Sequence, residues 1–116
     1  MKGINISDKT FPFTELILEG MKTIETREGT SLNSVIGQRV GIIRTGRGPA
    51  TLVGYVDITG VKKYNLETFR KDYGRHLVEE GSLYDIKDTK YGYILANPVR
   101  CTPTPVTSRG IVIRNI

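Results

Sequence analysis

Tryptophan is absent from this chain of 116 residues, and cysteine occurs once, at Cys101. A lone thiol excludes an intrachain disulfide, a cysteine-based zinc cluster and a Cys-x-x-Cys redox pair. Cys101 lies in the run Pro98-Val99-Arg100-Cys101-Thr102-Pro103, where a buried thiol packing as a small apolar group is a commoner arrangement than a nucleophile. Histidine also occurs once, as His76, with no Cys, His or paired carboxylate at ligand spacing, so no metal site and no cofactor are expected. Long apolar runs are missing too. Apolar runs such as Ile111-Val112-Ile113 are only a few residues long, far short of the roughly 20 that cross a bilayer, and no membrane association is expected. The start, Met1-Lys2-Gly3-Ile4-Asn5-Ile6-Ser7-Asp8, lacks the apolar core of a secretory signal. These absences together point to a reducing, cytoplasmic setting. With no internal repeat and no Ser/Pro/Gly-rich linker, a single domain over residues 1–116 is expected.

What the chain does have is positive charge. A formal net charge of +5 and a pI near 9.5 favour polyanionic partners, because each phosphate contacted by Lys or Arg releases counterions. Residues 39–63 concentrate the excess: Arg39, Arg44, Arg47, Lys62 and Lys63 face only Asp57. RNA or a nucleotide is the expected partner class, and recruitment of a protein through this basic region is the alternative.

Periodicity places the elements. Phe13, Leu16 and Ile17 fall at helical spacing, with Pro12 at the first turn and Gly20 where a left-handed cap belongs, which predicts a short helix. Thr23-Ile24-Glu25-Thr26-Arg27 is β-branched with an apolar centre and predicts a strand. Ser31 to Gly37 reads as a loop or a single helical turn. Residues 38–44 and 50–58 predict two strands joined by the Gly-rich loop Thr45-Gly46-Arg47-Gly48-Pro49, with Gly54 marking a bulge or a close backbone approach. Asn65 is suited to cap a helix carrying Leu66, Phe69 and Tyr73 and ending at Gly74, and a second helical piece is expected from His76 to Glu80. Tyr91 to Ala96 and Gly110 to Ile113 predict the last strands. The sum is an α+β fold: a small, partly closed sheet with helices on its outside.

The densest reactive set is Gly20-x-Lys22-Thr23-x-Glu25-x-Arg27-Glu28. On a strand Thr23, Glu25 and Arg27 share one face, so that face offers a hydroxyl, a carboxylate and a guanidinium while Ile24 takes the other. Glu25 beside Arg27 holds the guanidinium fork for a phosphate or base edge; the plainer reading is a solvated ion pair. Lys22, just past the helix end, is either an exposed lysine favoured by the helix dipole or, if desolvated, a base for a hydroxyl nucleophile. Arg44-Thr45-Gly46-Arg47-Gly48 could cradle phosphate through free N–H groups, but it lacks P-loop spacing and suits a hairpin turn equally well. Tyr91 and Tyr93, two apart, either stack on an unpaired base or pack inside a barrel.

The run Ile17-Leu18-Glu19-Gly20-Met21-Lys22-Thr23-Ile24-Glu25-Thr26-Arg27 resembles the opening motif of the ASCH family within the PUA-like superfamily. Lys90-Tyr91-Gly92-Tyr93-Ile94-Leu95-Ala96-Asn97-Pro98 is similar to its closing aromatic-Gly-aromatic strand, and the resemblance spans roughly Phe13 to Pro105. It implies a PUA-like small β-barrel of about five to six mostly antiparallel strands with two or three peripheral helices. It also implies a cleft for RNA or a nucleotide-like ligand lined by the motif residues; with the basic Gly-rich loop and the tyrosine pair added, the expected binding set is Lys22, Thr23, Glu25, Arg27, Arg44, Arg47, Tyr91 and Tyr93. Some family members are small amidohydrolases acting on acetylated cytidine, and others are described as ribonucleases. If this chain is an enzyme, Lys22, Thr23 and Glu25 are the expected catalytic set. Glu25 stands where the amidohydrolases carry their threonine, and their later glutamate corresponds to Glu79 or Glu80.

Overall fold

A computed structural model describes residues 1–116. Ile4 and Ile6 alternate with polar neighbours in the first strand, β1 (Lys2–Ser7), and both are buried in the core. This period-of-two signal is present in the sequence, although no strand is among the expectations for that stretch. Helix α1 (Phe13–Leu18) follows, and Gly20 closes it at φ +76°, as its pattern predicts. The Asp8 carboxylate receives the backbone N–H and the hydroxyl of Thr14, which ties the first turn of α1 to the end of β1. Strand β2 (Ile24–Arg27) comes next, then a single 3-10 turn at Asn33–Val35. Strands β3 (Arg39–Thr45) and β4 (Thr51–Tyr64) form the expected hairpin, with β4 running six residues beyond the predicted end at Ile58.

The helical region differs from the sequence expectation. Asn65 caps α2 (Leu66–Lys71) in a reciprocal box with Thr68, as its chemistry predicts. The helix stops at Lys71, short of Gly74, because Asp72 is drawn aside by the Tyr64 hydroxyl, Lys62 at 3.2 Å and Arg75 at 3.4 Å. A short α3 (Tyr73–His76) then ends on Leu77 in the left-handed region at φ 57°, and no helix continues to Glu80.

Strand β5 (Lys90–Pro105) extends well past the predicted Ala96. Pro98 and Pro103 are tolerated because they fall inside register shifts against β4, where the ladder needs no N–H from them, and Pro105 is the strand's last residue. The last strand, β6 (Ile113–Asn115), starts later than expected. The Asn5 side-chain amide donates to the carbonyls of Gly110 and Ile111 at 2.9 and 2.8 Å, which holds that segment off the ladder and leaves Ile111 on the surface.

The sheet order is β2-β5-β4-β3-β1-β6, antiparallel throughout except for β1 beside β3. The ladder is open between β2 and β1, and the Arg27 side chain bridges the gap by donating from Nη2 to the Asn5 carbonyl at 2.6 Å. The architecture is therefore α+β and barrel-like, with a seam closed by a side chain instead of a strand ladder. Inside it lies one core of 18 residues, including Ile4, Ile17, Ile24, Val56, Tyr64 and Tyr93.

Gly54 marks both a bulge and a close approach. The β3–β4 register slips beside it, and a methyl group there would stand 2.5 Å from the Val99 carbonyl oxygen. Since a backbone atom cannot give way cheaply, Gly54→Ala is expected to destabilise the fold by about 1–3 kcal/mol. A lower urea midpoint with an unchanged slope would register this effect, and an unchanged midpoint would contradict it.

Candidate functional site

The open seam is a cavity of about 440 Å³. One wall is β1, through Asn5, Ile6 and Ser7, and the opposite wall is β2 with Glu25, Thr26, Arg27 and the adjoining Glu28. Phe13 from α1, Lys22 and Lys90 complete the interior, while Val78, Leu83, Tyr84 and Ile111 border it on the apolar side. The ring of Tyr84 meets that of Phe13 edge-on at 5.8 Å, so this side is aromatic.

Lys22 is positioned by local chemistry. The left-handed turn at Gly20 lets the N–H groups of Met21 and Lys22 both donate to the Leu16 carbonyl, which folds the chain back under α1. The side chain is 1% exposed, its Nζ donates to the His76 carbonyl, lies 3.8 Å from a Glu25 oxygen and sits 4.6 Å above the Phe13 ring. Burial pulls its pKa down to about 8, against the opposing pull of the Glu25 carboxylate.

Glu25 is shared between two cations. Its Oε2 accepts from Arg27 Nε and Nη2 at 3.2 and 3.0 Å, and its Oε1 faces Lys22. The Glu25–Arg27 pair is thus partly buried and fixed by the Asn5 carbonyl, unlike a solvated surface pair. Lys90, at the start of β5, is 4% exposed, and burial also lowers its pKa despite the nearby carboxylates of Glu28, Glu25 and Asp85.

Of the residues singled out from the sequence, Lys22, Glu25 and Arg27 meet in this cavity. Thr23, Arg44, Arg47, Tyr91 and Tyr93 do not line it. Thr23 is held by backbone bonds to Arg75 and Leu95. Arg47 donates to the Asp8 carbonyl at 3.1 Å. Tyr93 is buried in the core with its hydroxyl donating to Asn33 at 2.7 Å, whereas Tyr91 lies with Lys63 Nζ 6.0 Å from its ring. Glu79 and Glu80 border a separate, smaller hollow beside Arg70 and His76. Within the basic stretch, Arg39 pairs with Asp57 at 2.9 Å and Lys62 with Asp72 at 3.2 Å, so part of its charge is internally balanced. Cys101 is partly buried in β5, and no group of three or more His, Cys, Asp or Glu side chains is gathered as a metal site would require.

Sequence reasoning missed Asn5, Tyr84, Lys90 and the part played by His76. His76 accepts the Val78 N–H on Nδ1 and so presents Nε2 as the donor to the Phe69 carbonyl; its ring stacks on Phe69 at 4.0 Å. Only its carbonyl reaches Lys22, which no side-chain pattern could reveal.

The ASCH domain family model matches residues 10–105. The chain belongs to the ASCH domain family. The fold agrees with solved ASCH structures from Zymomonas mobilis. One crystal structure is 20% identical with a TM-score of 0.70, covering 90% of this chain and 73% of that one. A tyrosine-to-phenylalanine mutant of the Zymomonas mobilis protein gives 21% identity and a TM-score of 0.72, covering 91% and 77% respectively. At such identity the likeness is one of fold. No curated protein matches the chain in sequence. In this ASCH protein the cavity falls in the seam between β1 and β2, where Lys22, Glu25 and Arg27, all within the matched residues 10–105, come together.

Burial of Lys22 has a measurable consequence. The folded chain releases this proton near pH 8, whereas the unfolded chain keeps it to about 10.5, so between those values the unfolded state binds more protons and stability rises with pH. Below that window the buried charge costs the fold about 3 kcal/mol. From about pH 8 to pH 10, wild type is expected to gain about 2 kcal/mol relative to Lys22→Met, measured by denaturant titration at each pH. Parallel curves for the two proteins would show that Lys22 is not desolvated.

Proposed function

We propose that this ASCH protein binds one nucleotide unit of a single-stranded RNA, or a free nucleotide-like ligand, in the cavity between β1 and β2. The observation that carries the reading is the pairing of an aromatic wall, Phe13 and Tyr84, with a polar floor of Lys22, Glu25 and Arg27 inside one hollow of about 440 Å³. That volume lies in the range of ordinary small-ligand sites. An unstacked base needs an apolar surface and a few fixed hydrogen-bonding groups at its edge; the partly exposed Tyr84 ring supplies the first and the polar floor the second, while Phe13, buried with Lys22 Nζ over its ring, meets Tyr84 edge-on. Glu25, held from two sides, is a fixed acceptor for a base N–H. Arg27 keeps Nη1 free of protein partners while Nε and Nη2 are engaged, so one donor still faces the ligand. Three cations, Lys22, Arg27 and Lys90, against the carboxylates of Glu25 and Glu28 give the hollow a positive bias. Membership of a family associated with RNA binding supports the same reading.

A second reading, hydrolysis of an amide on a modified nucleoside such as acetylated cytidine, draws support from the lowered Lys22 pKa near 8. An amine that is partly neutral near physiological pH can accept a proton from an attacking water. Thr23 lies outside the lining, so the reading rests on Lys22 and Glu25. Binding remains the stronger reading because Lys22 is already engaged with His76 and Glu25.

Fluorescence anisotropy with a labelled short single-stranded RNA tests the binding reading. Affinity should fall steeply as salt rises, and Lys22→Met and Arg27→Ala should each weaken it at least several-fold. Binding indifferent to both substitutions would place the site elsewhere. Turnover of acetylated cytidine that disappears in Lys22→Met would favour the enzymatic reading instead.

A further inference from the structure

Each cation of the cavity can be assigned its partners. Lys22 Nζ is engaged by the His76 carbonyl and Glu25. Arg27 spends two of its three nitrogens on Glu25 and Asn5. Lys90 is different: it is 4% exposed, lines the cavity, and its ammonium makes no hydrogen bond and no ion pair with any other residue of the chain. Its stem is buried while the ammonium, with no protein partner, opens only to the water of the cavity, so an anionic ligand there meets a positive charge that the fold itself leaves uncommitted. The register explains its placement. Arg27 pairs with Tyr91 across β2 and β5, so Lys90 enters the seam one step beyond the ladder, level with the exposed Glu28.

We propose that Lys90 is the anion-binding residue of the cavity and receives a phosphate of the ligand, so that the site takes nucleotides in preference to nucleosides. This rests on the nucleotide-binding reading above and specifies it. The ammonium meets the phosphate at the Glu28 side of the hollow, while the base lies toward Phe13 and Tyr84. Glu28, whose carboxylate flanks Lys90 without pairing at ion-pair distance, acts as the competitor that the phosphate displaces. The phosphate can belong to a mononucleotide or to an RNA backbone, and the shared chemistry is one dianionic or monoanionic phosphoryl group.

Calorimetric titration with the four ribonucleosides, their 5′-monophosphates and a short single-stranded RNA tests this. The wild-type protein should bind at least one monophosphate about tenfold or more tighter than its nucleoside, the size of one charge-assisted hydrogen bond. Lys90→Met, whose side chain fills the same space, should remove that preference. Lys90→Arg should retain most of it. Glu28→Gln, a change on the surface, should strengthen monophosphate binding a few-fold. If RNA is the true source of the phosphate, Lys90→Met should also lower the slope of log affinity against log salt by about one. Equal affinity for nucleosides and monophosphates in wild type, or a preference that survives Lys90→Met, overturns the assignment of Lys90 while leaving the nucleotide-binding reading intact. Absence of binding to every one of these probes overturns both.

Discussion

The ammonium of Lys22 is held 1% exposed by a carbonyl, a carboxylate and an aromatic face, and much of the local structure exists to make that tolerable. Removing a charge from water is costly unless every remaining hydrogen-bonding direction is filled. The His76 carbonyl can fill one only because α3 stops there, with Leu77 turned into the left-handed region and the His76 ring locked between Phe69 and Val78. Glu25 fills a second, and Arg27 holds Glu25 in orientation by donating twice to its Oε2. Phe13 supplies the third surface, and α1 is anchored for that purpose by Asp8.

Arg27 performs two tasks with one side chain. It neutralises Glu25 and it joins β2 to β1 through the Asn5 carbonyl, where no ladder exists. A strand ladder across this gap would satisfy the same backbone groups but would fill the hollow. A guanidinium with several donors closes the barrel while leaving room beside it. Asn5 matches this economy. Its carbonyl receives Arg27, and its amide holds the 110–111 segment out of the sheet, so that Ile111 becomes a lip of the cavity instead of part of β6. On the other side the lip is shaped by Asp85, which accepts N–H groups from Gly81 and Ile86 at 2.8 Å and an Arg70 nitrogen at 2.9 Å. Leu83 and Tyr84 project from within that knot.

Much of this was legible from residue pattern. The helical spacing of Phe13, Leu16 and Ile17, the cap at Gly20, the box at Asn65 and the close approach at Gly54 all concern interactions within a few residues or a steric demand that glycine alone meets. The charged run after Gly20 singled out Lys22, Glu25 and Arg27, which the fold brings into one cavity. The pattern failed where a long-range partner decides. The extension of β5 follows from the length of β4, the early stop of α2 from the pull of Tyr64 and Lys62 on Asp72, and the late start of β6 from Asn5. None of these has a local signature, because each competes with the local preference from a distance in the chain.

By itself, then, the sequence determined the family, the class of fold, the hairpin, the helix caps and the chemical character of the opening motif, since all of these are carried by short-range spacing and residue type. Only the tertiary structure decided which charged groups share a hollow, that Tyr93 serves the core, and that the Lys90 ammonium enters that hollow without a protein partner. The physical reason is that charge and aromaticity belong to a residue, whereas desolvation belongs to its neighbours, and those neighbours come from strands far apart in the chain.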